Sequence, residues 1–381
     1  MDKQFYQEFK LGILGGGQLG RMFIQACTNF NVSSYVMDPD PNAPCKDLCS
    51  SFTEGSLKDH DRVYFFGKDK DLLTIEIENV NVDALYKLQK EGVKVFPQPE
   101  VLEIIQDKRK QKQFYAQHDI PTADFRLIEN KQELEKHADF LPAFQKLGKD
   151  GYDGKGVQRI TDTTDFEKAF TEPSLLEKLV DFEKELSVIV ARNSKGEISS
   201  YPAVEQVIHP EYNLVDYLLS PAQINSEVEK EATRVAELVA EKLQIVGILA
   251  VELFLTKGGK VLVNEVAPRP HNSGHQTINA SVTSQYEQHL RAILDLPLGN
   301  TATQIPSAMV NVLGEEGYQG IAYYEGIEKV VAVPGANLFL YGKKDTKPHR
   351  KMGHITIVDK DVEQLKGKVE EVKNVLRVIT K

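Results

Sequence analysis

The chain has 381 residues, a net charge of −10, and 41% hydrophobic and 27% charged residues. That length exceeds what one hydrophobic core usually organises, so two or three domains are expected in an ordinary water-soluble composition. The acidic balance excludes a broad basic footprint for nucleic acid but leaves local phosphate binding open, since a few lysines suffice for that.

The opening MDKQFYQEFK lacks the apolar centre of a signal peptide, and no apolar run reaches the roughly 20 residues a bilayer requires. Cys27, Cys45 and Cys49 are odd in number and form no Cys-x-x-Cys pair, which predicts reduced thiols and a cytoplasmic protein without membrane or nucleic-acid partners.

In chain order, LGILGG predicts a strand, QLGRMFIQACTNF a helix, VSSYVMD a second strand and LLTIEIENV another. Strands alternating with helices predict a parallel α/β sheet. Pro97 and Pro99 punctuate the chain after it. A helix through DKRKQKQFYAQH follows, then strand-like FRLI, PAFQKL, VQRI and SLLEKLV. Longer strands begin near residue 183, before a helix around SEVEKEATRVAELVAEKLQ and the hairpin ILAVELFLTKGGKVLVNEV. Beyond Pro297 the tail reads as strands at MVNVLG, KVVAVP, ANLFLYG and HITIVD, with a last helix through VEQLKGKVEEVKNVLRVI.

Two glycine loops stand out. In LGILGGGQLGRM, Gly15, Gly17 and Gly20 fit G-x-G-x-x-G, and Asp38 falls where a dinucleotide fold places its ribose-binding acid. LPAFQKLGKDGYDGKGVQRI carries Gly148, Gly151, Gly154 and Gly156 among Lys146, Lys149 and Lys155. Its β-like flanks predict a loop between strands, and no Gly-Lys-Ser/Thr closes it as a Walker turn would. Backbone amides in such a loop can approach a phosphate, with lysines adding charge. A mobile hairpin with solvated lysines is the plainer alternative.

A two-residue turn at Gly258-Gly259 would set Glu252 directly opposite Glu265, both on one face of the sheet. Two bare carboxylates about 5 Å apart repel by about 3 kcal/mol at an effective dielectric near 20. A shared proton, a basic side chain or a divalent cation would relieve this, and Mg²⁺ suits hard oxygen ligands completed by phosphate. Asn264 adds an amide oxygen if the strand bulges there. Arg269, His271, Asn272, Ser273 and His275 then crowd donors into APRPHNSGHQT, which suits an oxyanion.

Taken together, GGGQLGRM, GYDGKG, NE-x-APR-x-HNSGH and RKMGH resemble the N5-carboxyaminoimidazole ribonucleotide synthetase family of the ATP-grasp superfamily, in the family's order and over nearly the whole chain. GYDGKG alone would indicate only an ATP-grasp ligase, whereas HNSGH with RKMGH narrows the choice. The resemblance implies an α/β (α+β overall) protein: a Rossmann-like parallel-sheet domain over 1–98, an ATP-grasp domain over 99–297 with a small lid at about 115–182, and a small β-rich C-terminal domain over 298–381. It also implies a homodimer.

By the same resemblance, ATP phosphorylates bicarbonate, and the carboxyphosphate carboxylates aminoimidazole ribonucleotide in purine biosynthesis. Lys108 and Lys146 would touch ATP phosphates. The loop Gly151, Tyr152, Asp153, Gly154, Lys155, Gly156 and Val157 would fold over them, with Tyr152, Asp153 and Lys155 also serving the chemistry. Glu177, Lys178, Leu179 and Val180 match the adenine-reading hinge, Glu185 the ribose contact, and Asn264 and Glu265 the end of the nucleotide site. Glu252 and Glu265 would hold Mg²⁺. The family's Glu-Asn-x-His stretch departs here to Glu205-Gln206-Val207-Ile208-His209, one residue longer, with His209 in the position of an ATP contact.

Arg269 and His271 would orient bicarbonate, and Asn272 and Ser273 would help seat the ribonucleotide. Gly16, Gln18, Leu19, Glu76 and Glu78 would line its pocket, with amides at the first glycine loop turned to the ligand. Arg350 and Lys351 would neutralise its phosphate. Another ATP-grasp ligase, or a dinucleotide oxidoreductase built on the first loop, are the rival readings.

Overall fold

The computed structural model describes residues 8–149, 156–208 and 215–381. The chain begins with a five-stranded parallel sheet. Its spatial order is Ser51–Glu54, Ser33–Asp38, Lys10–Leu14, Leu72–Ile75 and Lys94–Val95. Leu11 and Ile13 pack on one face against Phe23 and Ile24 of the helix Gln18–Asn29. Leu14, Leu73 and Ile75 pack on the other against Leu85 and Leu88 of Val82–Lys90. Burial on both faces explains why these strands read as apolar runs without alternation.

A four-stranded antiparallel sheet follows, ordered Phe125–Ile128, Ser174–Lys178, Ala143–Leu147 and Val157–Ile160. The second glycine loop joins the last two, as its β-like flanks predict.

A nine-stranded sheet forms the body of the molecule. It starts at Val261–Ala267 and passes through Gly247–Thr256, Phe182–Arg192, Val204–Ile208 and Val215–Ser220. It then continues into Ser307–Leu313, Lys351–Val358 and Ala336–Leu340, while Ile198–Ser200 pairs at the side of Phe182–Arg192. The tail beyond residue 298 is therefore hydrogen-bonded into the same sheet, through Tyr217 paired with Val310. The 18-residue helix Ser226–Leu243 buries Ala232, Val235, Ala236, Val239 and Ala240 on one face of this sheet.

Two tail elements differ from expectation. KVVAVP lies in a helix, Ile327–Ala332, because its valines are buried at helical spacing: Val330 and Val333 are inside and Val331 is 58% exposed. Gly326 opens that helix at φ +86°, where a Cβ would sit 2.0 Å from Val375 O. The final helix stops at Val375, and Arg377–Ile379 pairs instead with Tyr323–Glu325 as a two-stranded sheet, burying Val378. Alternation in Arg-Val-Ile wins there over the helical pattern upstream.

Cys27 and Cys45 are buried and Cys49 half-buried, all as free thiols. No helix among the described residues is long and apolar enough to cross a membrane.

Candidate functional site

The carboxylate hairpin reaches the expected pairing by an unexpected route. Gly259 N–H donates to Thr256 O and Thr256 N–H to Lys260 O, so the loop holds three residues, with Gly259 at φ +79°. The ladder consequently starts one residue out of the expected register, at Leu255 opposite Val261. A bulge at Asn264 then takes up the difference, and Glu252 stands opposite Glu265.

The two carboxylates sit in unlike surroundings. Lys108 Nζ is 2.7 Å from Glu265 Oε2. Burial opposes the charge on Glu265, but Lys108 outweighs it and holds the pKa below the ordinary value. Burial, with Glu265 and Glu185 adding repulsion, pushes Glu252 above it. Glu185 faces the same side, opposite Phe254, and burial and Glu265 raise it too. Phe254, absent from the sequence reading, stacks on Phe182 with ring centroids 4.8 Å apart.

Lys108 opens the helix Lys108–Gln117, capped by Asp107, and its N–H donates to Gly148 O at 2.7 Å. The helix start is thereby tied to the root of the second glycine loop. Gly156 and Val157 close that loop: Gly156 O accepts from Leu147 N–H, and Val157 pairs with Lys146. Gly151, Tyr152, Asp153, Gly154, Lys155 and His209 lie outside the described residues.

Glu177 has a different task from the one expected at a hinge. It lies mid-sheet, paired with both Phe125 and Phe144, and its carboxylate is gripped by Lys146 and Lys112 at 2.5 Å each. The Lys178 ammonium lies 4.7 Å from the centre of the Phe140 ring. Leu179 and Val180, half-buried, follow the strand end, where backbone groups can meet a ligand.

The segment 268–275 is held from behind. Gln285 accepts from His271 N–H at 2.9 Å and donates to His271 O at 2.7 Å. Gly274 permits this approach, since a Cβ there would lie 2.5 Å from the Gln285 amide. Arg269 reaches Glu78 at 2.9 Å, so Glu78 braces the guanidinium instead of standing free to contact a substrate. His271 Nε2 lies 3.6 Å from Glu252 Oε1, and burial, Arg269 and Lys351 lower its pKa to about 3, leaving a neutral ring.

Ser273 departs from expectation. It is 1% exposed, and its hydroxyl is engaged with His271 Nδ1 at 2.9 Å and Ser187 Oγ at 2.6 Å. It orients the imidazole and offers nothing outward. Asn272 stays half-buried beside it, while His275 turns inward to Tyr286 and His354.

At the first glycine loop, the chain's own acids take amides expected to face a ligand. Gly16 N–H donates to Asp38 at 2.7 Å and Leu19 N–H to Glu76 at 3.1 Å. The Leu19 side chain enters the core, and Gln18 remains half-buried at the helix start. Asp38 therefore acts as a loop brace, not a ribose ligand. Burial pushes Glu76 to about 7, partly offset by Arg269.

Three cations gather within electrostatic reach of Glu76 and His271. Arg350 and Lys351 are joined by Lys343, which sequence reasoning missed. Its Nζ donates to Lys351 O at 2.7 Å, and burial together with Arg350 lowers its pKa to about 8 even though Glu76 opposes the shift. A Tyr-Gly-Lys-Lys turn carries no local mark separating it from any solvated lysine pair. Its only signal is tertiary, the approach of that turn to the strand starting at Lys351.

Three stretches match family descriptions: residues 9–106 a ribonucleotide synthetase preATP-grasp domain, 113–286 an ATP-grasp domain, and 307–368 a phosphoribosylaminoimidazole carboxylase C-terminal domain. The N5-carboxyaminoimidazole ribonucleotide synthase of Bacillus subtilis is 37% identical, over 94% of each chain. The chloroplastic phosphoribosylaminoimidazole carboxylase of Vigna aconitifolia is 39% identical over 94% of this chain, which spans 66% of that longer protein. Among solved structures, N5-carboxyaminoimidazole ribonucleotide synthetase from Thermotoga maritima superposes with a TM-score of 0.90 at 43% identity, covering 98% of this chain and all of that one. The Aspergillus clavatus N5-carboxyaminoimidazole synthase, in complex with ADP and 5-aminoimidazole ribonucleotide, superposes at 0.88 with 31% identity, covering 96% and 98%.

Proposed function

The chain belongs to the N5-carboxyaminoimidazole ribonucleotide synthetase family of ATP-grasp ligases, and from that premise we propose how its own residues run the reaction. The substrates are ATP, bicarbonate and 5-aminoimidazole ribonucleotide. ADP, phosphate and the N5-carbamate leave. The observation carrying this reading is a convergence of charge: Lys108 on Glu265, His271 beside Glu252, and Lys351 near enough to His271 to depress its pKa.

Lys108 and Lys146 meet the ATP phosphates. Leu179 and Val180 meet adenine through their backbone, and Glu185 meets the ribose. Arg269, fixed by Glu78, and the neutral His271 hold bicarbonate oxygens. Arg350, Lys351 and Lys343 hold the ribonucleotide phosphate, with Gln18 and Asn272 at the base end.

Mg²⁺ fits the Glu252 and Glu265 donor set. No group of three His, Cys, Asp or Glu that could hold a metal gathers among the described residues, so phosphate and water would complete the shell. When bound, the ion supplies neutralisation of phosphate charge. The protein residues do the rest. Bicarbonate oxygen attacks the γ-phosphorus and ADP leaves. The substrate amine then bonds to the carboxyphosphate carbon as the C–O bond to phosphate breaks, and the departing phosphate takes the proton.

A cytoplasmic homodimer completes the proposal, on family resemblance. ADP release is the direct test, with each component omitted in turn. Turnover is expected only with Mg²⁺, bicarbonate and aminoimidazole ribonucleotide together. Release that ignores the ribonucleotide would reject the substrate assignment.

A further inference from the structure

Glu177 is 3% exposed and faces two ammonium groups at once: Lys146 donates to one carboxylate oxygen, and Lys112 forms an ion pair with the other at 2.5 Å. Lys112 is also 3% exposed and donates to Thr122 Oγ1, which donates to Val263 O at 2.8 Å in the carboxylate hairpin. Lys112 is thus sealed behind Glu177, while the Lys146 side chain keeps 15% of its surface open. Two cations on one anion leave a single positive charge over, and it resides on the lysine nearer solvent.

We propose that Lys112 is a positioning residue for ATP: it balances Glu177 from behind, so that the charge of Lys146 is left for the polyphosphate. A lone Lys146–Glu177 pair would be neutral. Drawing Lys146 towards phosphate would then strip a buried carboxylate of its only partner, a costly outcome. With Lys112 present, Glu177 keeps a partner in either position of Lys146, and it also holds the Lys146 stem upright when no nucleotide is bound. Pinning through Thr122 to the strand of Glu265 sets the height of this triad against the carboxylate pair.

This inference rests on the reading that Lys146 meets ATP phosphates, and the test separates the two. ATP and AMP affinities of the full chain are measured by calorimetry for Lys112→Met, Lys112→Arg, Lys146→Met and the double variant Lys112→Met/Glu177→Gln. Lys112→Met should weaken ATP about tenfold and AMP less than about twofold, because AMP lacks the phosphates concerned. Lys112→Arg should restore most of the loss. The double variant, in which Lys146 again carries an unbalanced charge, should bind ATP within about threefold of the native chain.

Native ATP affinity in Lys112→Met, with the Lys146→Met variant weakened, overturns this inference and leaves the Lys146 reading standing. Native affinity in Lys146→Met overturns that reading itself. Equal loss of ATP and AMP in Lys112→Met, or a double variant weaker than the single, assigns Lys112 to folding alone and also overturns the proposal. If Lys112→Met does not fold, Lys112→Gln, which keeps a donor for Thr122, takes its place with the same expected outcomes.

Discussion

Two regions of this chain set carboxylates beside a ligand pocket and treat them in opposite ways. At the first glycine loop, Asp38 and Glu76 each accept a backbone amide from the turn they support, Gly16 N–H and Leu19 N–H. At the hairpin, Glu252 and Glu265 face one another, and Lys108 forms an ion pair with Glu265 alone. In the first, backbone amides of the turn answer the acids, although burial still raises Glu76 to about 7; the second sets carboxylate against carboxylate, a deficit that a cation can fill. The difference teaches that acidic residues near a pocket are sorted by what already answers their charge, not by their distance from a motif.

Breaking the hairpin side should have the largest effect. Glu265→Gln is expected to lower turnover by about 10³-fold while circular dichroism and melting temperature stay near native, because the amide keeps the size of the carboxylate and an oxygen for Lys108. Native turnover would remove the carboxylate pair from the mechanism. The complementary change at the glycine loop should act on the fold. Asp38→Ala loses acceptors for Gly16 and Asp40 N–H, and urea denaturation should show about 1–2 kcal/mol of lost stability. Unchanged stability there would dissolve the contrast between the two regions.

The smallest effect concerns a group that joins them. His289 lies between Thr74 of the parallel sheet, at 2.9 Å, and Ile248 N–H of the large sheet, at 3.2 Å. Its Nδ1 accepts that N–H, and burial lowers its pKa from 6.5 to about 3. The folded state therefore binds fewer protons than the unfolded chain. The stability it contributes is present above pH 6.5 and is lost as pH falls towards 3. His289→Gln should flatten denaturation midpoints measured across pH 6.5 to 3, though not wholly, since His271, His275 and His354 are depressed in the same sense. An identical pH profile would deny His289 a share in acid unfolding.

How much was legible in the sequence follows the reach of each signal. Parallel strands, the Ser226–Leu243 helix and the carboxylate pairing all come from patterns within a few residues. The pairing nevertheless rested on a two-residue turn, and it stands because the Asn264 bulge offsets the three-residue one. KVVAVP failed because four apolar residues in a row fit both periods, and only burial of Val330 with Val333 decides between them. The site residues that changed role, Ser273, Glu78 and Glu177, did so through partners 86, 191 and 65 positions away in the chain. Lys343 and Lys112 escaped notice for the same reason: their partners belong to other elements, and no local spacing announces them.

The unbroken sheet from Val261–Ala267 to Lys351–Val358 has one more consequence. Six strand-to-strand steps separate these two strands, which laid flat would span about 29 Å. The segment that leaves Ala267 crosses this distance: His275 packs on His354 with ring centroids 4.6 Å apart, which brings His271 within electrostatic reach of Lys351. That crossing segment thus ties the carboxylate hairpin to the strand of Lys351 over the face of the sheet. Buried side chains such as His275 and His354 therefore hold leverage over how far the hairpin stands from the Arg350–Lys351 cations.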